Sequence, residues 1–315
     1  PPPPAALSRM ARYVFYRIGM AIPLFLGAAL LIFIAGHLAP GDPVQTVLGE
    51  HYTPAAGVVL RHQLGLDRPL AVQFARYVGD LARLDFGTSY VNPGLRVDDL
   101  VGHALPISLR LAGLAVLVAT LAGTILGVGA ATAHRTVLDS LIQVGVVLGL
   151  SVPSFVTAAV LVYLFALRWP VLPVAGWGLP ENYVLPVAVL SISPVAFIAR
   201  IARSSVGQVL LEDYVRTARS KGLRPRRVLF RHVLRNAALP VVTTIGLAFG
   251  NAIVGAFVVE VLFNIPGIAR VAINAILQRD YTVLQATVLV YTALFSLVNL
   301  VVDVSYAYLN PRIRY

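Results

Sequence analysis

Eight basic side chains crowd the stretch from Asp213 to Pro240, DYVRTARSKGLRPRRVLFRHVLRNAALP: Arg216, Arg219, Lys221, Arg224, Arg226, Arg227, Arg231 and Arg235. Guanidinium groups in such a set break and form no bonds. Their chemistry is to hold an anionic or polar surface. The apolar residues between them are spaced for helices. Val215 and Ala218 share one face of a short helix over Tyr214–Lys221, and Leu229 and Val233, with Phe230, Leu234 and Ala237, repeat on a second. Gly222 suits the end of the first, since glycine takes the left-handed conformation required just past a helix C-terminus, and Pro225 suits the first turn of the second. A bent pair of helices is predicted, with charge for a membrane surface and a small apolar face for a partner. An ordinary cytoplasmic loop under the positive-inside rule would carry the same charge.

Other chemistry is sparse. No GxxxxGK[ST] loop, HExxH pair, GxSxG elbow or clustered His/Asp/Glu set occurs, so nothing in the chain argues for ATP binding, hydrolysis or metal chemistry. There is no cysteine, which removes disulfides, thiolate chemistry and Cys-ligated metal. Within the apolar runs the polar positions are few. Ser151-Val152-Pro153-Ser154 interrupts one run; proline removes a backbone hydrogen bond and serines can re-satisfy freed carbonyls, so a kink is expected there. With Asn251, this break is a candidate wall of a translocation path. Asn299 and Asp303 lie i,i+4 on one helix face. An ionised Asp near the bilayer centre costs about 2.5–3.5 kcal/mol on insertion scales, so Asp303 has to face a partner, a cavity or the interface. A proton relay and a helix–helix hydrogen bond are its two readings.

The elements that position these residues belong in a bilayer. Hydrophobic residues make up 58% of the 315 and charged residues 12%, too apolar for a soluble domain. A net charge of +11 would suggest nucleic acid in a soluble protein, but the arginines sit in loops flanking apolar spans, which argues against that role. The opening residues 1–9, PPPPAALSR, are low in complexity and expected to be disordered, either a cloning remnant or an upstream extension. A first span covers residues 10–38, apolar from about Val14 to Leu38, with Arg9, Arg12 and Arg17 placing its start in the cytoplasm. Residues 39–103 balance acidic against basic side chains and form an extracytoplasmic segment, with short amphipathic helices over Ala55–Leu64 and Val72–Leu84. Five spans follow within 104–309: Pro106–Thr132, Leu138–Leu167 with the Ser151–Ser154 break, Val184–Ile201, Ala237–Val259 and Leu284–Tyr308. The basic loop, 208–235, lies between the third and fourth of these, and 310–315 is a tail. Alternation puts both termini and the basic loop on the cytoplasmic side. Gly246 and Gly250 have the small-xxx-small spacing that lets helices approach.

Several motifs, in order along residues 10–315, resemble the dipeptide and oligopeptide branch of ABC-importer permeases. The coupling loop of that family reads Glu-Ala-Ala, three residues, Gly, nine residues, Ile-x-Leu-Pro. Here the positions hold Arg216, Thr217, Ala218, then Gly222, then His232, Val233, Leu234 and Arg235, departing at the Glu, the Ile and the Pro, while YVRTARSKGL is the form typical of the peptide branch. LGLDRPL at 64–70, DFGTS at 85–89, LPVAGW at 172–177 and FNIPG at 263–267 are similar too, with Leu84 and Ala269 where the family usually has Gly. The resemblance implies an all-α polytopic protein of the bacterial inner membrane, with the six-helix type I importer fold and a small extracytoplasmic subdomain. It also implies a path shared with a second permease chain, alternating access driven by two ATPase subunits that carry ATP and Mg, and an extracytoplasmic binding protein. This chain would bind no cofactor, and Tyr214, Val215, Arg216, Thr217, Ala218, Lys221, Gly222 and Leu223 would meet the ATPase. Peptides are the implied substrate, with nickel or haem as alternatives in the same branch. An ion-coupled transporter titrating Asp303 is the reading from another class.

Overall fold

A chain that crosses hydrocarbon has to satisfy its backbone hydrogen bonds internally, and these long apolar runs do so as helices. The computed structural model describes residues 4–38, 42–92 and 94–309, with the side chains of 4–14, Pro43, Thr46, Asp303 and 305–309 outside the described part. In chain order the helices are α1 (Pro4–Leu38), α2 (Pro43–Leu48), α3 (Pro54–Gln63), α4 (Leu70–Ala82), α5 (Val97–Thr132), α6 (Val137–Ser151) and α7 (Ser154–Val162). They continue with α8 (Glu181–Leu210), α9 (Asp213–Ser220), α10 (Pro225–Val228), α11 (Leu234–Leu262), α12 (Ile268–Gln278) and α13 (Tyr281–Leu309). Among the described residues five helical runs are long and apolar enough to cross a membrane: Phe15–Leu38, α5, α8, Pro225–Leu262 and Tyr281–Val302. The helices over Val137–Ser151 and Ser154–Arg168, bent by 107° at their break, pass the same test only together, and counted as one broken span they bring the number to six.

Three differences from the sequence expectation have physical causes. Residues 4–9, expected to be disordered, are the first turns of α1; alanines and a leucine follow the prolines, and good helix formers prolong a helix already nucleated by the span behind them. The second helix of the basic loop does not end before the span expected from Ala237. It passes through a π turn at Leu229–Val233 into α11, because no glycine or proline lies between Pro225 and Pro240 to stop it. Finally, α12 was not foreseen; eleven residues is too short a run to register as a span. Residues 1–3, 39–41, 93 and 310–315 lie outside the described residues.

The chain divides into two units, one built on Ser108–Ile265 with α13 from Val298 onward, the other on Arg12–Ile107 with Pro266–Leu297. In the first, α8 is the hub, packed on α6, α7 and α11. Ala119, Ile198, Ala202, Val241 and Ala248 form one buried cluster there. A Cβ at Gly123 or Gly127 would lie 2.8 Å or 2.5 Å from the backbone oxygens of Val195 and Ala199, so these two glycines set how closely α5 can lie on α8. Gly246 likewise faces the side chain of Val302. In the second unit, the amphipathic α4 lays Phe74, Tyr77 and Leu81 against Phe25, Ala29, Ile32 and Leu289. The Phe33 ring packs on Phe74 and Tyr77, with centroids 5.3 Å and 5.7 Å away. The segment between α1 and α5 therefore shares a core with α1 and α13.

Candidate functional site

The helix α9 ends as its sequence predicts. Gly222 has φ +75°, its N–H donates to the Arg219 carbonyl at 2.9 Å, and the Leu223 N–H reaches back to the Ala218 carbonyl at 3.4 Å. This 5→2 and 6→1 pair is a Schellman stop, and Leu223 joins the same apolar cluster as Ala218, completing its hydrophobic contact. The space around Gly222 is open, so conformation alone restricts that position.

The small apolar face of α9 was expected to await a partner, and the structure corrects this. Val215 is fully buried and Ala218 only 6% exposed, packed with Ala131, Val206, Val228, Val233 and Ala237 of the chain's own helices. An eight-residue helix has no stability of its own, and these two side chains seat it on the ends of α5, α8 and the Pro225–Leu262 run. The surface it offers is the opposite one: Tyr214, Arg216, Thr217, Arg219 and Lys221 are exposed. Tyr214 is held by the Asn236 amide, which donates to its hydroxyl at 3.0 Å and to the His232 carbonyl at 2.8 Å. Of the eight residues singled out in the sequence, Val215, Ala218 and Leu223 anchor, Gly222 turns, and Tyr214, Arg216, Thr217 and Lys221 face outward.

Charge at this end of the molecule is of two kinds. Arg203, read from sequence as one more basic flanking residue, is pinned to the buried Asp139 at 2.7 Å and 2.9 Å in a bidentate pair that ties the start of α6 to α8. Asp139, an acid just inside a span, was the signal for it. In the basic loop, by contrast, among the described residues the ion pair Arg216–Asp213, 3.6 Å and wholly exposed, contributes little, and Arg219, Arg224, Arg226, Arg227 and Arg231 have no carboxylate partner.

At the break, Val152 is extended and its N–H bonds the Leu148 carbonyl at 3.0 Å, ending α6. Pro153 immediately precedes α7 as its cap, and its carbonyl accepts from the Thr157 hydroxyl at 3.3 Å. Among the described residues neither serine hydroxyl makes the expected bond to a freed carbonyl; the helix simply stops and restarts. Ser151 and Pro153 are exposed and Ser154 half-buried, and Asn251 is exposed on α11, with no hydrogen bond between it and the break. Asn299 is half-buried, and the side chain of Asp303 lies outside the described residues.

A second polar centre, missed in the sequence, is built on the DFGTS motif. Gly87 turns the chain at φ +79°, Thr88 pairs with Arg96 across a backbone bridge, and the Phe86 N–H donates to Asp98 at 2.8 Å. The buried Ser89 hydroxyl donates to Asp280, which also accepts from the Tyr90 N–H at 3.3 Å and caps α13 through the Val283 N–H at 3.4 Å. Burial, the largest cause, raises the Tyr90 hydroxyl above its ordinary value, and Asp280 adds to this against a hydrogen bond with Thr282. Arg96 is held between Asp98 and Asp85, and this pairing with Asp98 raises its pKa. A lone Asp before an apolar run was the available sign of a cap; its partner 191 residues away was not.

Comparison with known proteins decides what such a molecule is. Residues 123–315 match the family described as binding-protein-dependent transport system inner membrane component, and residues 10–111 match its N-terminal companion. The chain belongs to this family of transport permeases. It is 40% identical over 306 residues to the glutathione transport system permease protein GsiC of Salmonella typhimurium, covering 97% of this chain and all of that one. It is 36% identical over 305 residues to the dipeptide transport system permease protein DppB of Bacillus subtilis, covering 97% and 98%. Among solved structures, an amino acid ABC transporter covers 66% of the chain at TM-score 0.54 and 18% identity, with 93% of its own length matched. The methionine ABC transporter MetNI in an inward-facing form covers 67% at TM-score 0.58 and 12% identity, with 96% matched. At those identities the likeness is one of fold, and the fold is that of a type I importer permease.

Proposed function

We propose that this permease is the membrane subunit through which an ABC importer takes up peptides, glutathione and dipeptides being the first to test. The observation that carries this is similarity along the whole chain to permeases named for those two substrates, including the segments outside the membrane. In this reading α9 receives the motion of a partner ATPase through its outward face of Tyr214, Arg216, Thr217 and Lys221, while Val215 and Ala218 pass it to α5, α8 and the Pro225–Leu262 run. ATP and Mg are held by two ATPase subunits, a second permease chain completes the path, and an extracytoplasmic binding protein delivers substrate. The Ser151–Ser154 break and Asn251 line the path, since backbone freed from a helix at membrane depth needs water or protein beside it. Both termini and the basic loop lie in the cytoplasm of a bacterial inner membrane, following the arginine distribution.

The test is uptake in vesicles holding this chain with its companion permease, ATPases and binding protein. Labelled dipeptide or glutathione should accumulate only with ATP inside and binding protein outside. Accumulation driven by a proton or sodium gradient without ATP would replace this reading with ion-coupled transport, and uptake of nickel or haem in place of peptide would reassign the substrate. Single cysteines at Ser220 and Gly94, both exposed, should be labelled by an impermeant thiol reagent from opposite sides.

A further inference from the structure

The helix α6 is held to its unit along one stripe. Its buried residues are Asp139, Val146 and Gly149, spaced i, i+7 and i+10 on one helix face, and each of them meets α8. Asp139 takes the Arg203 guanidinium in the bidentate pair at 2.7 Å and 2.9 Å. Val146 packs with Ala196 and Ala199, and a Cβ at Gly149 would lie 3.0 Å from that of Ala196. Gln143, one turn beyond Asp139, turns its amide oxygen to the same guanidinium at 2.9 Å. The other side of α6, with Leu138, Leu141, Val144, Val147 and Leu148, is more than half exposed. When α8 moves, α6 has either to follow or to slip. One end of α8 runs through Leu211 and Glu212 into α9, while α6 ends at the Ser151–Ser154 break, beyond which α7 packs on α11 as well as on α8.

The contacts along the stripe differ in kind. Alanine, valine and glycine surfaces attract without direction and let one helix turn or slide on another. A guanidinium–carboxylate fork is directional. Asp139 is 4% exposed, so drawing the two groups apart strands a buried charge. We propose that the Asp139–Arg203 pair locks α6 to α8, so that the two helices move as one body and the displacement of α9 reaches the break. The inference rests on the reading of α9 as the element that receives the motion of the ATPase. Asp139 stands about 18 Å along α6 from Ser151, at roughly 1.5 Å per residue. The pair is therefore a positioning contact, acting on the break through the helix between them.

The test uses vesicles holding the complete complex, with peptide imported and ATP hydrolysed measured together. Their ratio does not depend on how much complex assembles, so it separates transmission from stability. Asp139→Asn keeps the shape of the side chain and removes its charge; it should lower the ratio about tenfold, and Arg203→Lys, which keeps the charge and loses the fork, should lower it less. A second arm leaves the pair untouched. The chain has no cysteine, so Gly149→Cys with Ala196→Cys supplies its only thiols, and the helices have to give by about half an ångström to reach the Cβ separation of about 3.5–4.5 Å that a disulfide takes. Oxidation should leave uptake as it is in the reduced form, because the bond joins helices that do not move against each other. In the same background Asp139→Asn should regain its ratio on oxidation. Uptake arrested by oxidation and restored by reductant would overturn the proposal, since α6 would then slide on α8. An unchanged ratio in Asp139→Asn would also overturn it and leave the pair a structural contact. If Gly222→Val in α9's own turn impairs substrate-stimulated hydrolysis while Asp139→Asn keeps its ratio, the role of α9 stands and the lock alone falls.

Discussion

The segment between α1 and α5 and the segment between α8 and α11 are both polar, both rich in arginine and both outside the apolar spans, yet they treat charge in opposite ways. In the first, Asp42 takes Arg61 at 2.5 Å, Asp67 takes His62 at 2.7 Å, and Arg96 sits between Asp85 and Asp98. In the second, the arginines outnumber the available acids and most stand unpaired, while the apolar side chains of α9 are buried in the chain itself. A region that pairs most of its charges makes little electrostatic demand of a partner. One that leaves like charges together is destabilised by their repulsion unless something anionic arrives. The difference separates a segment that pairs most of its charges and is fixed to the spans by packing and hydrogen bonds from one held by packing and the Asn236–Tyr214 hydrogen bond while its charges face outward.

Breaking the packed side of that comparison should have the largest effect. Ala218→Asp sets a carboxyl among Val206, Val228 and Val233, at a cost of about 2–7 kcal/mol for an unpaired polar group. The expected outcome is loss of the chain from the membrane fraction, more than loss of transport from an intact chain. Normal abundance with reduced transport would return Ala218 to the outward, partner-facing role. Gly222→Val comes next. A β-branched residue at φ +75° is strained by about 1–3 kcal/mol, and nothing crowds the position, so the strain redirects the turn without emptying the core. Membrane abundance should hold while substrate-stimulated ATP hydrolysis by the complex falls; unchanged hydrolysis would detach α9 from coupling.

On the self-contained side, Asp280→Ala removes one acceptor from Ser89, Tyr90 and Val283 together. Buried donors left without partners cost about 1–3 kcal/mol each. The 86–96 segment should become sensitive to protease added outside, with insertion and the basic loop unaffected. Ser89→Ala, which loses one of those bonds and leaves the cap on α13, should do the same more weakly. Equal resistance in both variants would show that the Arg96 pairings alone fix this segment.

Much of this was legible before any coordinates. Spans, the break at Ser151–Ser154, α3 and α4 within two residues of the predicted ends, and the left-handed Gly222 all follow from local rules: apolar run length, proline, helical periodicity and the glycine stop. What could not be read is the consequence of tertiary contact. Periodicity shows that Val215 and Ala218 share a face, but not whether that face meets a partner or the ends of the chain's own spans. Arg203 reads as a loop charge until Asp139, 64 residues away, is found against it. The Ser89–Asp280 pair is more remote still, and α12 is too short for its apolar run to be separated from the turn before it.

The smallest expected effect tests a single backbone angle. Leu84, where the motif resemblance leads one to expect glycine, has φ +58° and is 74% exposed, so nothing in its packing offsets the conformation. A non-glycine residue in the left-handed region costs roughly 1–2 kcal/mol from the clash of Cβ with the following carbonyl. Replacement by glycine removes that cost but adds about 0.5–1 kcal/mol of chain entropy to the unfolded state. Leu84→Gly should therefore raise thermal stability slightly, by about 0.5–1 kcal/mol. Asn264 provides the contrast, with φ +56° in the turn before α12. Asparagine enters the left-handed region at little cost, so Asn264→Gly should gain nothing and can lose through the same entropy. Melting curves of the two variants separate the causes. A gain at Leu84 without one at Asn264 assigns the preference for glycine at 84 to backbone conformation. Equal gains would show that the effect does not come from the left-handed cost peculiar to leucine.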